Sequence, residues 1–379
     1  MNAADPKELE TENGMREVRI GPNEAGQRLD RFLAKYMKEA GQGFFHKMMR
    51  KKNITLNGAK CTGAERVSVD DVVTLWLSEE TIEKFRGTEH PVIPGSHMDS
   101  RETKKTAGAG ISRGAGIPRD AGKRGGAEKK QGTPDQSVRE IRERIVYEDG
   151  QLLVLDKPAG MLSQKAKPED VSANERILEY LLDSGFITGE ELRTFRPSVV
   201  NRLDRNTSGL LLYGKTLPAL QILSEAVRER TIGKYYLTAV KGRITEACEI
   251  RGWLRKDCDA NQVRVLDRPG SPEDREIRTA YRPVTEGNGA TLLEVRLITG
   301  RTHQIRAHLA SIGHPVLGDP KYGDPVLNGM LRKEYGIRGQ LLHACRLVMP
   351  ELRAPLEALS GKTFSAPLPE KFRTLFPDA

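Results

Sequence analysis

The sequence predicts an α+β protein: a main domain on a mixed, mainly antiparallel sheet, preceded by a small module of two helices and a hairpin. Three observations carry this. Apolar residues recur first at helical and then at alternating spacing over residues 26–77. Residues 99–131 hold almost no large apolar side chains. From residue 139 onward strands recur without the regular strand-helix-strand alternation of a doubly wound parallel sheet. The 379 residues leave room for two to three domains, at about 150 residues each. The expected divisions are a flexible N-terminus (1–15), the small module (16–85), a linker (86–138) and the main domain (139–379).

In the module, QRLDRFLAKYMKEAG spaces Leu29, Phe32, Leu33, Tyr36 and Met37 at helical intervals and ends at Gly41. HKMMRKKNITLNGAKC passes from a basic helix into a strand that turns at Asn57 and Gly58, an Asn-Gly pair suited to a two-residue hairpin. VSVDDVVTLWL adds a strand that is apolar on both faces, and the module is expected to close by about Leu77. Residues 26–66 carry ten Lys/Arg against three acids, a net +7. Residues 99–131 carry seven Gly, five Ala, nine Lys/Arg and four acids, with Ile111 and Ile117 their large apolar side chains. Such a segment buries too little surface to offset its ordering entropy, so it reads as a disordered linker, net +5, that lets the two domains move independently.

The main domain opens with a hairpin in RIVYEDGQLLVLDKPAGM, turning at Asp149 and Gly150. Ser172 with Glu175 three residues on forms a capping-box pattern for a helix that stops at Gly185. Strands KYYLTAV and TLLEVRL and the helix THQIRAHLASIG follow, the last with Ile305, Leu309 and Ile312 facing the core.

Composition narrows function. Lys+Arg 61 against Asp+Glu 52 gives +9, and with a pI near 9.3 and a mean hydropathy of −0.53 the chain suits a polyanionic partner such as nucleic acid. No run approaches the roughly 18 apolar residues of a membrane span, and MNAADPKELETENG has neither a basic start nor an apolar stretch, so a cytoplasmic protein is expected. Cys61, Cys248, Cys258 and Cys345 form no metal-ligand spacing, and His303 and His308 are five apart, not the four that share a helix face. No metal and no cofactor is expected.

The most informative string is NRLDRNTSGLLLYGK (residues 201–215), a polar loop that runs straight into an apolar strand and delivers Asp204 to its edge. By itself this Asp reads as a turn cap on the amides of Asn206 or Thr207. Its company argues otherwise. RLDxxTSG, then KYYLTAVKG, then ITGRTHQIRAHLASIGHPVLGDPKYG stand in the order and at about the separations that mark the RluA-type pseudouridine synthases, which this chain resembles from residue 145 to the end. DKPAGM and FSAPLP match as well. The front module is similar to the small S-four-type RNA-binding domain, in which RLDxFL opens the first helix and a basic helix precedes the hairpin; the resemblance covers residues 27–77 and points to the ribosomal branch of the family.

The resemblance implies the pseudouridine synthase fold and isomerisation of uridine in RNA, with large-subunit ribosomal RNA as substrate and the enzyme acting as a monomer. Asp204 is similar to the catalytic aspartate, Tyr236 to the active-site tyrosine and Arg306 to the basic residue paired with the aspartate, while Arg202 resembles the arginine that enters the RNA stack. Arg28, Arg31, Lys47, Arg50, Lys51, Lys52 and Lys60 are the phosphate-binding candidates of the module. The chain departs from the commoner His at Asn201 and the commoner Asp at Asn206, which bears on substrate contacts rather than chemistry.

The chemistry fits one carboxylate. The reaction breaks a glycosidic bond, turns the uracil and rejoins it through carbon five with water kept out. A glycoside hydrolase would need a second acid, and the motifs are read as supplying none. A buried target base must be flipped out, and a guanidinium such as that of Arg202 can fill the gap. Pseudouridylation of transfer RNA is the alternative substrate reading. A non-catalytic RNA-binding or ribosome-assembly protein is the alternative from another class, disfavoured because a desolvated carboxylate would repel RNA. A hydrolase of free nucleosides would have no use for the basic module.

Overall fold

The computed structural model describes residues 9–11, 15–86, 134–257 and 262–377. The sequence-predicted linker lies almost wholly outside the described residues, as does Cys258.

The front of the chain forms a five-stranded sheet with three helices. Strands β1 (Leu9–Thr11) and β2 (Met15–Arg19) precede helices α1 (Leu29–Tyr36) and α2 (Gln42–Arg50), then β3 (Ile54–Leu56), β4 (Ala59–Lys60), β5 (Val72–Leu75) and helix α3 (Glu79–Arg86). The strand order is β1-β2-β5-β3-β4. Leu29, Phe32, Leu33, Tyr36 and Met37 are buried as their spacing predicts, against Phe45 and Met49 of α2. Asn57 and Gly58 turn the β3-β4 hairpin with φ 52° and 73°, the left-handed pair that a tight hairpin needs.

Three details differ from the sequence reading. Helix α1 stops at Tyr36 rather than Gly41, because Met37 leaves helical geometry while its amide still bonds Leu33 O. The strand in VSVDDVVTLWL is only Val72–Leu75, since Asp70 takes a left-handed φ of 67° that breaks an extended run. Strand β2 and helix α3 complete the module beyond the predicted elements.

The main sheet has eleven strands. Helix α4 (Pro134–Arg142) leads into β6 (Ile145–Glu148), β7 (Leu152–Lys157), α5 (Ala173–Asp183), α6 (Glu191–Thr194), β8 (Ser198–Val199), β9 (Ser208–Gly214), α7 (Leu217–Arg228) and β10 (Gly233–Lys241). There follow β11 (Cys248–Asp257), β12 (Gln262–Leu266), β13 (Arg275–Gly287), β14 (Ala290–Leu297), α8 (Gln304–Ser311), α9 (Pro325–Tyr335), β15 (Leu342–Val348), β16 (Thr363–Ser365) and α10 (Glu370–Arg373). The order is β12-β11-β13-β14-β10-β15-β9-β7-β6, with β8 beside β9 and β16 beside β15. All pairs are antiparallel except β15 with β9. The expected α+β architecture on a mixed, mainly antiparallel sheet is what the chain adopts.

Both faces of the sheet's centre are covered. Leu153, Leu155, Leu211 and Tyr213 pack with α5 and with Ile305 and Leu309 of α8. Their alternates Leu152, Val154, Leu210 and Leu212 pack with α7 and Phe364. The period of two thus splits one apolar run between two layers, and β9 is buried along its whole length. Gly209 is required there: its φ is +106°, and a Cβ would lie 2.2 Å from Ala344 O on the parallel neighbour.

Polar contacts join the two units. Asn23 Nδ2 donates to Glu191 Oε1 at 3.0 Å, Thr194 donates to the buried Glu24 carboxyl, and Arg86 Nη2 pairs with Glu190 Oε2 at 2.7 Å. The module meets α6 and its flanking residues through polar groups that are buried on both sides at Asn23 with Glu191 and at Glu24 with Thr194, while Glu190 opposite Arg86 is exposed; removing one member of a buried pair would leave an unpaired polar atom.

Candidate active site

Asp204 stands in the loop between β8 and β9, and three buried side chains hold that loop. Asn201 donates to Leu210 O and accepts from Leu212 N at 2.7 Å, so it serves as an extra strand partner. Ser163 Oγ bridges the backbone of Leu203, accepting from its N–H and donating to its carbonyl. Lys157, fully buried, donates to Pro158 O, Met161 O and Arg205 O, which ties the DKPAGM turn to the Asp204 loop. Burial pushes the Lys157 ammonium down to about 7, with Asp204 and Asp156 pulling it back up. The departure at Asn201 is therefore a matter of loop support.

The carboxylate itself caps no turn. Its Oδ2 accepts from Arg306 Nη1 at 2.7 Å, and its Oδ1 has no partner among the described residues. Arg306 is buried in the first turn of α8 and spends its other two nitrogens on Asp319, Nε to Oδ2 at 2.7 Å and Nη2 to Oδ1 at 2.8 Å. Asp319 has no exposed surface, and its Oδ1 also receives the amides of Lys321 and Tyr322. This second acid lies in GDPKYG, inside the third motif, and corrects the reading that the motifs hold a single one. Its oxygens are all engaged by the guanidinium and the turn amides, so it anchors Arg306 and is not free to act as an acid.

Tyr236 lies on β10 at a break in register between Tyr235 and Leu237 on the β15 side. Bulges of this kind re-aim a side chain. The residue is only 6% exposed and its hydroxyl has no hydrogen-bond partner among the described residues, while burial and the charge of Asp204 hold the phenol well above its ordinary range.

His303, which the sequence offers only as a candidate metal ligand, comes to the same place. It precedes α8 with a left-handed φ of 54°, and its Nε2 lies 3.9 Å from Asp204 Oδ2. Its Nδ1 is 2.9 Å from Tyr322 Oη. No group of three or more His, Cys, Asp or Glu suited to a metal occurs among the described residues.

Asp204, Tyr236 and Arg306 are thus brought together. Arg202 is exposed two residues before Asp204, without an ion-pair partner among the described residues. Arg28, Arg31, Lys47, Arg50, Lys51, Lys52 and Lys60 lie on the front module, all exposed. Arg28 is already paired in two places with Asp30, at 3.1 and 2.7 Å. Lys47, Arg50 and Lys51 share one face at the end of α2.

Residues 151–311 match the family model described as RNA pseudouridylate synthase. The ribosomal large subunit pseudouridine synthase D of Zymomonas mobilis is 34% identical over 241 residues, 63% of this chain and 73% of that protein. The chain belongs to the RNA pseudouridine synthase family. Over a longer span, this synthase is 27% identical to the ribosomal large subunit pseudouridine synthase C of Vibrio vulnificus, covering 90% of each. Human RNA pseudouridylate synthase domain containing 4 shares the fold, with a TM-score of 0.50 at 21% identity over 63% of this chain and 94% of that one. The synthase is therefore an isomerase acting on uridine in RNA.

Proposed function

We propose that this synthase converts uridine to pseudouridine in large-subunit ribosomal RNA, with Asp204 as the reacting carboxylate. The observation that carries the reading is the division of labour on that side chain: Arg306 holds Oδ2, and Oδ1 stays open at a partly exposed edge. A carboxylate held by one oxygen is oriented while the other keeps its lone pairs for the substrate. Oδ1 either adds to the anomeric carbon or takes the proton from the neighbouring ribose carbon. The bond from the anomeric carbon to N1 breaks, the uracil turns, a bond to carbon five forms, and the proton on carbon five is lost as N1 gains one.

Tyr236 acts here by lying against the flipped uracil. A phenol kept protonated by burial and by a nearby carboxylate is a poor base, which favours stacking over proton removal. Arg202, exposed and without an ion-pair partner among the described residues, fills the space the base leaves in the RNA. The exposed cations of α2 bind phosphate and supply affinity without reading sequence.

The ribosomal assignment rests on the names of the relatives together with the basic front module. It is tested by mapping pseudouridines with carbodiimide labelling and primer extension in total RNA from cells with and without the gene. Stops that disappear from large-subunit ribosomal RNA are expected; stops that disappear from transfer RNA alone would move the substrate there.

A further inference from the structure

The described residues build a short relay that ends beside the reacting carboxylate. The amide of Val263 on β12 donates to Tyr322 Oη at 2.9 Å. With one lone pair so occupied, the phenol still has its own hydrogen to place, and among the described residues the acceptor within reach is Nδ1 of His303 at 2.9 Å. An Nδ1 that accepts fixes the neutral imidazole with its hydrogen on Nε2. Burial, together with the positive charges of Arg306 and Lys321, favours the same neutral form, against the pull of Asp204 and Asp319. The hydrogen-bearing Nε2 sits 3.9 Å from Asp204 Oδ2, beyond hydrogen-bond length, and no other described residue accepts from it.

The backbone shows that this placement is imposed. A left-handed φ of 54° on a histidine is costly and persists where the surroundings over-determine it. Here the carbonyl of His303 accepts from Ala307 N while its ring is held by Tyr322. The strained residue thus aims a donor at the edge of Asp204 and leaves the donor unused.

We infer that His303 Nε2 donates to the 2′-hydroxyl of the target uridine and makes the site discriminate ribose from deoxyribose at that nucleotide. This rests on the reading of Asp204 as the reacting carboxylate. Addition puts the carboxylate on the anomeric carbon, and elimination puts it on the hydrogen of the adjacent carbon. In either case the 2′-oxygen is two bonds from the atom that Asp204 touches. A donor a few ångströms from that carboxylate therefore meets this oxygen, the group by which a protein tells RNA from DNA.

The test is a cycle in which the donor and the acceptor are each removed. In an Asp204→Asn background, where RNA is not consumed, dissociation constants are measured for one RNA carrying either uridine or 2′-deoxyuridine at the target. His303→Asn is the variant of choice, because Asn tolerates the left-handed backbone and is too short to replace Nε2. The background is expected to prefer the uridine RNA by roughly tenfold, and His303→Asn to erase the preference. With Asp204 intact, His303→Asn should slow single turnover of the uridine RNA by about the same factor, and His303→Gln, whose amide reaches the Nε2 position, should restore part of it. No preference in the background, or a preference that survives His303→Asn, overturns the inference. Turnover by Asp204→Asn itself would instead overturn the reading of the carboxylate.

Discussion

Arg306 bonds Asp319 through two nitrogens and Asp204 through the third, so a fully buried acid sets the direction of the guanidinium that holds the partly exposed one. The planar fork is what allows three bonds in fixed directions, and an ammonium would replace them with a point charge. Arg306→Lys is therefore expected to keep the fold and lower kcat by about ten- to a hundredfold with a small change in KM, as removal of a charged hydrogen bond implies. Single-turnover rates at saturating enzyme check this. A change confined to KM would place Arg306 in RNA binding.

Asp319→Ala tests the other half of the relationship. It leaves a buried guanidinium without its main counter-charge, which costs about 3–5 kcal/mol. The denaturation midpoint should fall at constant m-value; an unchanged midpoint would mean that Asp204 alone suffices for Arg306.

Acid should loosen this protein through two histidines. Burial pushes His308 and His343 down to about 4, against backbone hydrogen bonds that pull the other way, and their Nδ1 atoms lie within hydrogen-bond distance of Thr279 and Ser208. Because their folded values lie below the ordinary 6.5, the unfolded chain binds protons first as the pH falls. Stability is thus fully present above about 6.5 and is lost between 6.5 and 4, by roughly 3 kcal/mol per histidine, since each tenfold difference in proton affinity is worth about 1.36 kcal/mol. Denaturation midpoints measured from pH 7 to 4 for the native chain and for His308→Gln should show a shallower fall in the variant; parallel curves would show that His308 contributes nothing to the acid response.

Lys47, Arg50 and Lys51 project from one face at the end of α2 with no ion-pair partner among the described residues. Changing all three to Ala should leave turnover at saturating RNA intact and reduce the slope of log affinity against log salt, by up to about 0.9 for each duplex phosphate that these cations would otherwise neutralise. An unaltered slope would show that this face does not meet RNA.

Arg202 and Arg306 look alike in composition and are separated by their surroundings, one exposed and one held by two acids. Arg202→Ala should slow reaction most where the uridine sits in a stable helix and least where it is already unpaired, because flipping there costs little. An equal effect on a matched pair of RNAs would contradict a role in the stack.

Residues whose signal is local are legible in the sequence alone. The loop-then-strand pattern exposes Asp204, and the amphipathic spacing places Arg306 on a helix with Ile305 and Leu309 inward. Asp319 is hidden because an Asp before Pro in a tight turn looks like a turn cap, which it also is, bonding Lys321 N and Tyr322 N. That Arg306 reaches it is a tertiary fact. His303 is hidden because THQIRAH reads as continuous helix, whereas the left-handed residue delays the helix to Gln304. Strand β2 escapes because Arg16 takes an inward position beside Val18, made tolerable by Glu79 and Glu83 of α3, and a buried Arg breaks the alternation that marks a strand.

The most direct measurement is release of tritium from carbon five of uridine in RNA by Asp204→Asn under single-turnover conditions, with RNA affinity measured in parallel. The substitution keeps the size of the side chain and removes the charged oxygen that faces the substrate. Release should vanish while affinity changes by less than about fivefold, since phosphate contacts elsewhere supply most of it. Release that persists at a substantial fraction of the native rate would contradict the assignment of Asp204 as the reacting carboxylate.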